Sequence, residues 1–179
     1  YNYHKLRNNT EAEKLFLESI KLYYNNFGDN DLIYIKLLEI YGFFLQNTQK
    51  MSEEEKMYLK VIDLYRKNNM IKKNYNYFKF VERIRFFFNK TNNNKITELV
   101  FLDYIQLCKE NYGSNSMEYI DSTIDMGMFY AKNENNQKYI EILKESLKVL
   151  ELNDLQNSKQ YFEINNNLAN SYHNIGDYL

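Results

Sequence analysis

Apolar residues recur at spacings of three and four along almost the whole chain, the pattern of helices that each bury one face. Ala12, Leu15, Phe16, Ser19, Ile20 and Tyr23 form the first such stripe, in a helix over about residues 11–26. Phe27-Gly28 stops it, because glycine accepts a left-handed C-terminal turn at little cost. Asp29-Asn30-Asp31 then offers N-caps for a helix over about 31–46, with Leu38, Tyr41, Gly42 and Leu45 on its packing side. Ser52-Glu53-Glu54-Glu55 reads as a capping box, Ser52 with Glu55, opening a helix to about 67 with Tyr58, Val61, Ile62 and Tyr65 inward. Further helices are predicted at about 75–89, 96–111, 116–132, 137–152 and 158–174. Connections are short and no strand-like alternation intervenes, so the chain is predicted to be all-α, built from antiparallel helix hairpins.

The hairpins repeat. Tyr41, Ile84, Met126 and Leu168 follow one another at steps of 43, 42 and 42, and the next residue in each case is Gly42, Arg85, Gly127 or Ala169. Leu45, Phe88, Tyr130 and Tyr172 hold the same register in the first helices. Phe16, Tyr58, Phe101, Leu143 and Ile20, Ile62, Ile105, Leu147 hold it in the second. Repetition at this period marks a helical solenoid. It divides the chain into pairs at about 31–67, 75–111 and 116–152, with partial repeats at 1–26 and 158–179, all in one array. A small residue lets paired helices approach closely, and Arg85 breaks that rule. Residues 70–95 are therefore expected to pack more widely, with the Arg85 guanidinium leaving the interface along its alkyl stem. Tyr3-His4-Lys5-Leu6-Arg7 aligns with Tyr172-His173-Asn174-Ile175-Gly176, as though the chain opens in the last turn of a first helix. Tyr178-Leu179 reads as the start of another helix, so the chain is expected to be a segment of a longer protein.

Leu168-Ala169, Tyr172 and Gly176-Asp177-Tyr178 together resemble a tetratricopeptide repeat. The period near 42 and the Asn-Asn-Leu-Ala run at 166–169 are similar to the kinesin light chain type, and Gly28 and Gly113 match the glycine between its hairpins. The resemblance implies a right-handed superhelix whose first helices line a concave, partner-binding surface, and a groove Asn that grips peptide backbone, matched here by Asn166 and Asn170. Missing prolines and Arg85 depart from the pattern, and HEAT-like or armadillo-like hairpins are the competing fold.

Composition narrows the function. Lys plus Arg number 23 and Asp plus Glu 24, which excludes the basic excess of a nucleic-acid or anionic-membrane surface. No apolar run is long enough to span a bilayer, so no membrane insertion is expected. The single cysteine, Cys108, excludes an internal disulfide and fits a reducing, cytoplasmic setting, with a cytoskeletal association as an extension. It falls among apolar residues, as a small core residue would. Asparagine clusters in the turns and is put down to codon bias. His4 and His173 stand four repeats apart, and no phosphate-binding glycine loop, paired cysteine or His-Glu-x-x-His occurs. Glu53-Glu54-Glu55 suits a helix N-terminus. No catalytic, metal or cofactor site is expected.

The candidate site is the first-helix face turned away from the packing stripe. Its residues are Lys36, Glu39 and Phe43; Lys79, Glu82 and Phe86; Asp121, Ile124 and Met128; and Asn166 with Asn170. Phe43, Phe86 and Met128 make an apolar row that is either a ligand groove or additional core. Charge along the face runs from lysine to carboxylate, which would orient a peptide. A Lys-and-Asn clamp for a C-terminal carboxylate is not assembled, since Glu39, Phe43, Glu82 and Phe86 hold those positions. The expected function is a scaffold or adaptor holding a protein or peptide partner, within a multi-subunit complex in one version. The alternatives are a building block of a cytoskeletal or motor-linked assembly, which apolar patches around Leu59 or Tyr104 would favour, and the non-catalytic arm of a larger enzyme.

Overall fold

The computed structural model describes residues 2–69, 75–91 and 93–176. Eight α-helices follow one another among them: α1 (Asn2–Phe27), α2 (Leu32–Asn47), α3 (Met51–Lys67), α4 (Tyr75–Phe88), α5 (Asn94–Tyr112), α6 (Met117–Lys132), α7 (Asn136–Leu152) and α8 (Lys159–Ile175). The chain forms two compact units, Tyr1–Phe80 and Val81–Leu179.

Helix starts follow the capping residues. Asp31 accepts from the Ile33 N–H at 2.7 Å, and Ser116 and Ser158 accept from Tyr119 and Tyr161. Asn93 and Asn135 cap α5 and α7 in the same way, so two of the turn asparagines have a structural task beyond codon usage. Helix ends use the left-handed region at the repeat period. Gly28, Gly113 and Gly176 adopt positive φ, and so do Gln49, Asn69, Glu134 and Asp154, where no glycine stands. Each of the turns after α2, α6 and α7 adds a six-to-one bond, Lys50 N to Leu45 O, Asn135 N to Tyr130 O and Leu155 N to Leu150 O.

Two expectations are corrected. The helix end anticipated near Arg7 does not occur, since α1 is continuous over 26 residues. The Ser52–Glu55 capping box does not form either. Lys50 is the N-cap residue, without a side-chain bond, and its carbonyl accepts from the Glu53 and Glu54 N–H groups at 3.1 and 2.9 Å. Ser52 therefore lies inside the first turn, and Glu54 is carried into the core at 3% exposure.

The repeat columns are the core. In the first unit Tyr41, Leu45, Tyr58 and Ile62 are buried, joined by Tyr65, Tyr77 and Phe80. A Cβ on Gly42 would stand 2.7 Å from Tyr58 Cε1, so the α2–α3 hairpin closes only over a bare backbone. Glu13 on α1 accepts from Lys50 Nζ at 2.6 Å and Tyr41 Oη at 3.1 Å. The Lys50 bond holds the Glu13 carboxyl below its ordinary range, and burial, with that carboxylate, pushes Tyr41 up to about 12. In the second unit the same column holds Glu98, which accepts from Tyr130 Oη at 2.6 Å and Lys138 Nζ at 3.1 Å. Ile120, Leu143, Leu147, Leu150 and Ile164 form one cluster there, and Phe101, Met126, Phe129 and Tyr130 another.

Glu54 yields a testable consequence. Its Oε1 has no hydrogen-bond partner among the described residues, and burial raises its carboxyl above the usual value despite the Tyr58 hydrogen bond. A carboxyl whose folded-state pKa is raised contributes stability below its unfolded pKa, and that contribution is lost as pH rises through the folded pKa. Glu54→Gln is expected to be more stable than the parent by about 1 kcal/mol at pH 7 and equal to it near pH 4. Urea midpoints across that interval check both the sign and the window.

Candidate functional site

On α2 the candidate face is largely occupied by the protein itself. Glu39 is 4% exposed and accepts from Tyr65 Oη at 2.6 Å and from Lys36 Nζ at 2.8 Å. Phe43 is half-buried, its ring centroid 5.7 Å from Tyr58 and 6.4 Å from Phe80. Lys79 is exposed, its ammonium over the rings of Phe78 and Tyr75. Lys36 is thus already paired, which weakens the expected run of charge at that end.

The second unit is more open. Phe86 and Met128 are 57% and 53% exposed, whereas Ile84, Phe87, Phe88, Met126 and Phe129 beside them are buried. The column that holds glycine at Gly42 and Gly127 holds Arg85 here. Its guanidinium lies between the rings of Phe86 and Tyr104, 4.2 and 4.3 Å from their centroids, and pairs with Asp125 on α6. The arginine therefore stays inside, at 12% side-chain exposure, and does not leave the interface as expected. The wider packing anticipated over residues 70–95 falls partly on 70–74 and 92, outside the described residues.

The Arg85–Asp125 pair ties the end of α4 to α6. Phe86 stacks on that arginine and Met128 stands one turn beyond Asp125, so the two exposed apolar groups sit on neighbouring helices. Asp121 is exposed one turn before Asp125, and partial burial, with Glu118 nearby, raises its carboxyl pKa against the opposing pull of Arg85. Ile124 is half-buried against the Ile120 cluster, and Glu82 is half-buried, its carbonyl accepting from Arg85 Nε. On α8, Asn166 and Asn170 are exposed one turn apart, with Phe162, 62% exposed, one turn earlier. Phe162 and Arg85 are the site residues that sequence reasoning missed. The signal for Phe162 was its i, i+4 spacing to Asn166.

Of the residues proposed to mark a second-helix patch, Tyr104 is buried and Leu59 half-buried, whereas Leu99 and Leu102 on α5 are exposed. Cys108 is a free, fully buried thiol, pushed up by burial. Among the described residues no cluster of three or more His, Cys, Asp or Glu side chains is placed to hold a metal ion. None of the described helices is long and apolar enough to cross a membrane.

No family model matches the sequence, and no curated protein matches it. Solved structures do match. A Podosopora anserina protein assigned as a kinesin light chain with nearly identical TPR-like repeats superposes with a TM-score of 0.69 at 10% identity, covering 98% of this chain and 82% of that one. BtubC (BKLC) from P. vanneervenii superposes at 0.62 and 13% identity, over 97% of this chain and 69% of that one. The fold is a tetratricopeptide-like helical-repeat array. Its hairpins of about 42 residues are thus of the kind the sequence resembles, and the all-α solenoid class is the one expected. Identities this low speak for the fold alone.

Proposed function

We propose that this tetratricopeptide-like array is a protein-interaction scaffold or adaptor that holds an extended peptide or a partner helix along its first helices. The observation that carries this reading is the exposure of Phe86 and Met128, on helices joined by the largely covered Arg85, while their neighbours Ile84, Phe87, Phe88, Met126 and Phe129 are buried. Apolar groups gathered on one face of a folded domain favour a partner surface. The exposed amides of Asn166 and Asn170 suit hydrogen bonding to the backbone of an extended segment, the role that the kinesin light chain resemblance implies for them. Asp121 adds an exposed carboxylate on α6, about two turns before Met128, so a basic residue in the ligand is preferred there. Glu39 and Phe43, held by Tyr65 and Tyr58, serve as the wall that shapes the first unit. The reading places the protein among scaffolds in a reducing, cytoplasmic setting and assigns it no reaction.

Selection of a random-peptide display library on the 179-residue chain tests it. Peptides that emerge are expected to bind Phe86→Asp/Met128→Asp at least tenfold more weakly, with an unchanged melting temperature, since both side chains are exposed. Selected peptides that bind the double variant as well as the parent would overturn the proposal, as would a selection that yields none.

A further inference from the structure

Leu102 is 49% exposed on α5, although Phe101 and Tyr104 on either side of it are buried. It opens into a cleft of about 350 Å³ between α5 and α7, floored also by Ile105, Met126 and Ile142. Glu141 and Glu145, one turn apart on α7, form its rim. Lys138 stands on the same rim but does not neutralise them, because its ammonium binds Glu98 and Tyr130 at 3.1 and 3.3 Å. Burial and the neighbouring Glu145 carboxylate raise the Tyr119 hydroxyl above its ordinary value, so it adds no charge. The cleft is apolar below and carries two carboxylates above, Glu141 accepting from the neutral Gln137 amide at 3.0 Å and Glu145 from the neutral Tyr119 hydroxyl.

A cleft of this shape is a product of the repeat, and the first unit has it too. Two periods earlier in the chain, Leu17, Ile20 and Tyr34 occupy the places of Leu102, Ile105 and Tyr119, around a volume of about 340 Å³. By sequence register Lys56 and Lys60 stand where Glu141 and Glu145 do, and of the two Lys60 lines the first cleft, with Lys21 and Asp29. Stacking geometry accounts for the hollow but not for a sign of charge that reverses at both register positions. Charge of one sign over an exposed apolar floor is the form in which helical surfaces select amphipathic segments of the opposite sign.

We propose that the α5–α7 cleft is a second docking surface, distinct from the face bearing Phe86 and Met128, and that it takes a basic amphipathic peptide. An apolar side chain of the peptide enters over Leu102 and Ile105, and Lys or Arg one turn away meets Glu141 and Glu145. Desolvation by the apolar insert strengthens those ion pairs, and rim charges set the rate and specificity of encounter more than the final affinity.

Two synthetic helical peptides of equal length, one of Leu and Lys and one of Leu and Glu, test the assignment by methyl NMR on the full 179-residue chain. The Lys peptide is expected to shift Leu102, Ile105 and Ile142 saturably and to leave Leu17 and Ile20 in place. The Glu peptide is expected to leave the α5–α7 cleft unmoved. Glu141→Lys/Glu145→Lys, two exposed positions, is expected to weaken the Lys peptide at least tenfold, and Leu102→Ser to weaken it without any change of charge. Equal shifts in both clefts, shifts confined to Met128, or indifference to the charge reversal would overturn the proposal. Shifts confined to Met128 would move the peptide to the face bearing Phe86, and the other outcomes leave that face untouched, so the two surfaces stand or fall separately.

Discussion

Gly42→Val is expected to destabilise the fold by about 3 kcal/mol, near the top of the range for overpacking a core. The reason is local and geometric. A Cβ at position 42 meets the Tyr58 ring at 2.7 Å, and that ring has nowhere to go. Tyr58 is 1% exposed, wedged between Phe43 and Phe80, with its hydroxyl bonded to Glu54. Helix propensity favours replacing a mid-helix glycine with alanine by about 1 kcal/mol, so Gly42→Ala exposes the clash with that gain set against it. Gly127 is the milder case, because its Cβ would meet Tyr139 and Ile142, both only partly buried, at 3.1 and 3.2 Å. Ala169 stands in the same column but is exposed, and no helix follows α8 among the described residues. Ala169→Val is therefore expected to stay within about 0.5 kcal/mol of the parent. Urea denaturation of the series orders the three positions, and equal losses at 42 and 169 would contradict the close-approach account.

Tyr65→Ala is expected to lose about 4 kcal/mol, as for the removal of a buried aromatic side chain. The ring is fully buried, 4.9 Å from Tyr77 and 6.2 Å from Phe80. Burial and Glu39 push its hydroxyl far above the ordinary phenol range, so it is a donor at every accessible pH. Tyr65→Phe keeps the ring and removes only the bond to the Glu39 carboxyl, at an expected loss of about 2 kcal/mol. Adding Glu39→Gln to Tyr65→Phe is expected to recover part of that loss, because no carboxylate is then left short of a donor. A double-mutant cycle by thermal or urea unfolding measures the coupling. A coupling near zero would mean that Glu39 is satisfied by Lys36 alone.

Helix positions and the repeat register were legible because the information that sets them is local. Stripes at three and four, Asp31, Ser116 and Ser158 as caps, and Gly28 and Gly113 as stops need no tertiary knowledge. The start of α1 was misread because Tyr3-His4 matches Tyr172-His173 by residue type. No glycine or proline enforces a turn at residues 7–10, and extending an existing helix adds one hydrogen bond per residue. The Ser52 box failed because Gln49 takes the left-handed turn and sets the N-cap at Lys50.

The site was legible as a face but not in its occupancy. Glu39 looked available until Tyr65, on the next helix, claimed it. Arg85 looked like a defect until Tyr104 and Asp125 supplied an aromatic plate and a counter-charge from two other helices. Leu102 left a trace that went unread, since Leu17, Leu59 and Leu102 recur in register just outside the packing stripe.

The central functional claim is that Phe86 and Met128 touch the bound segment. Photo-cross-linking tests it most directly, with a benzophenone amino acid placed singly at positions 86, 128 and 152. Leu152, 69% exposed on α7, is the control for exposure alone. With a display-selected peptide bound, cross-links at 86 and 128 and none at 152 are the predicted result. Cross-links at 152 alone, or equally at all three positions, would contradict it.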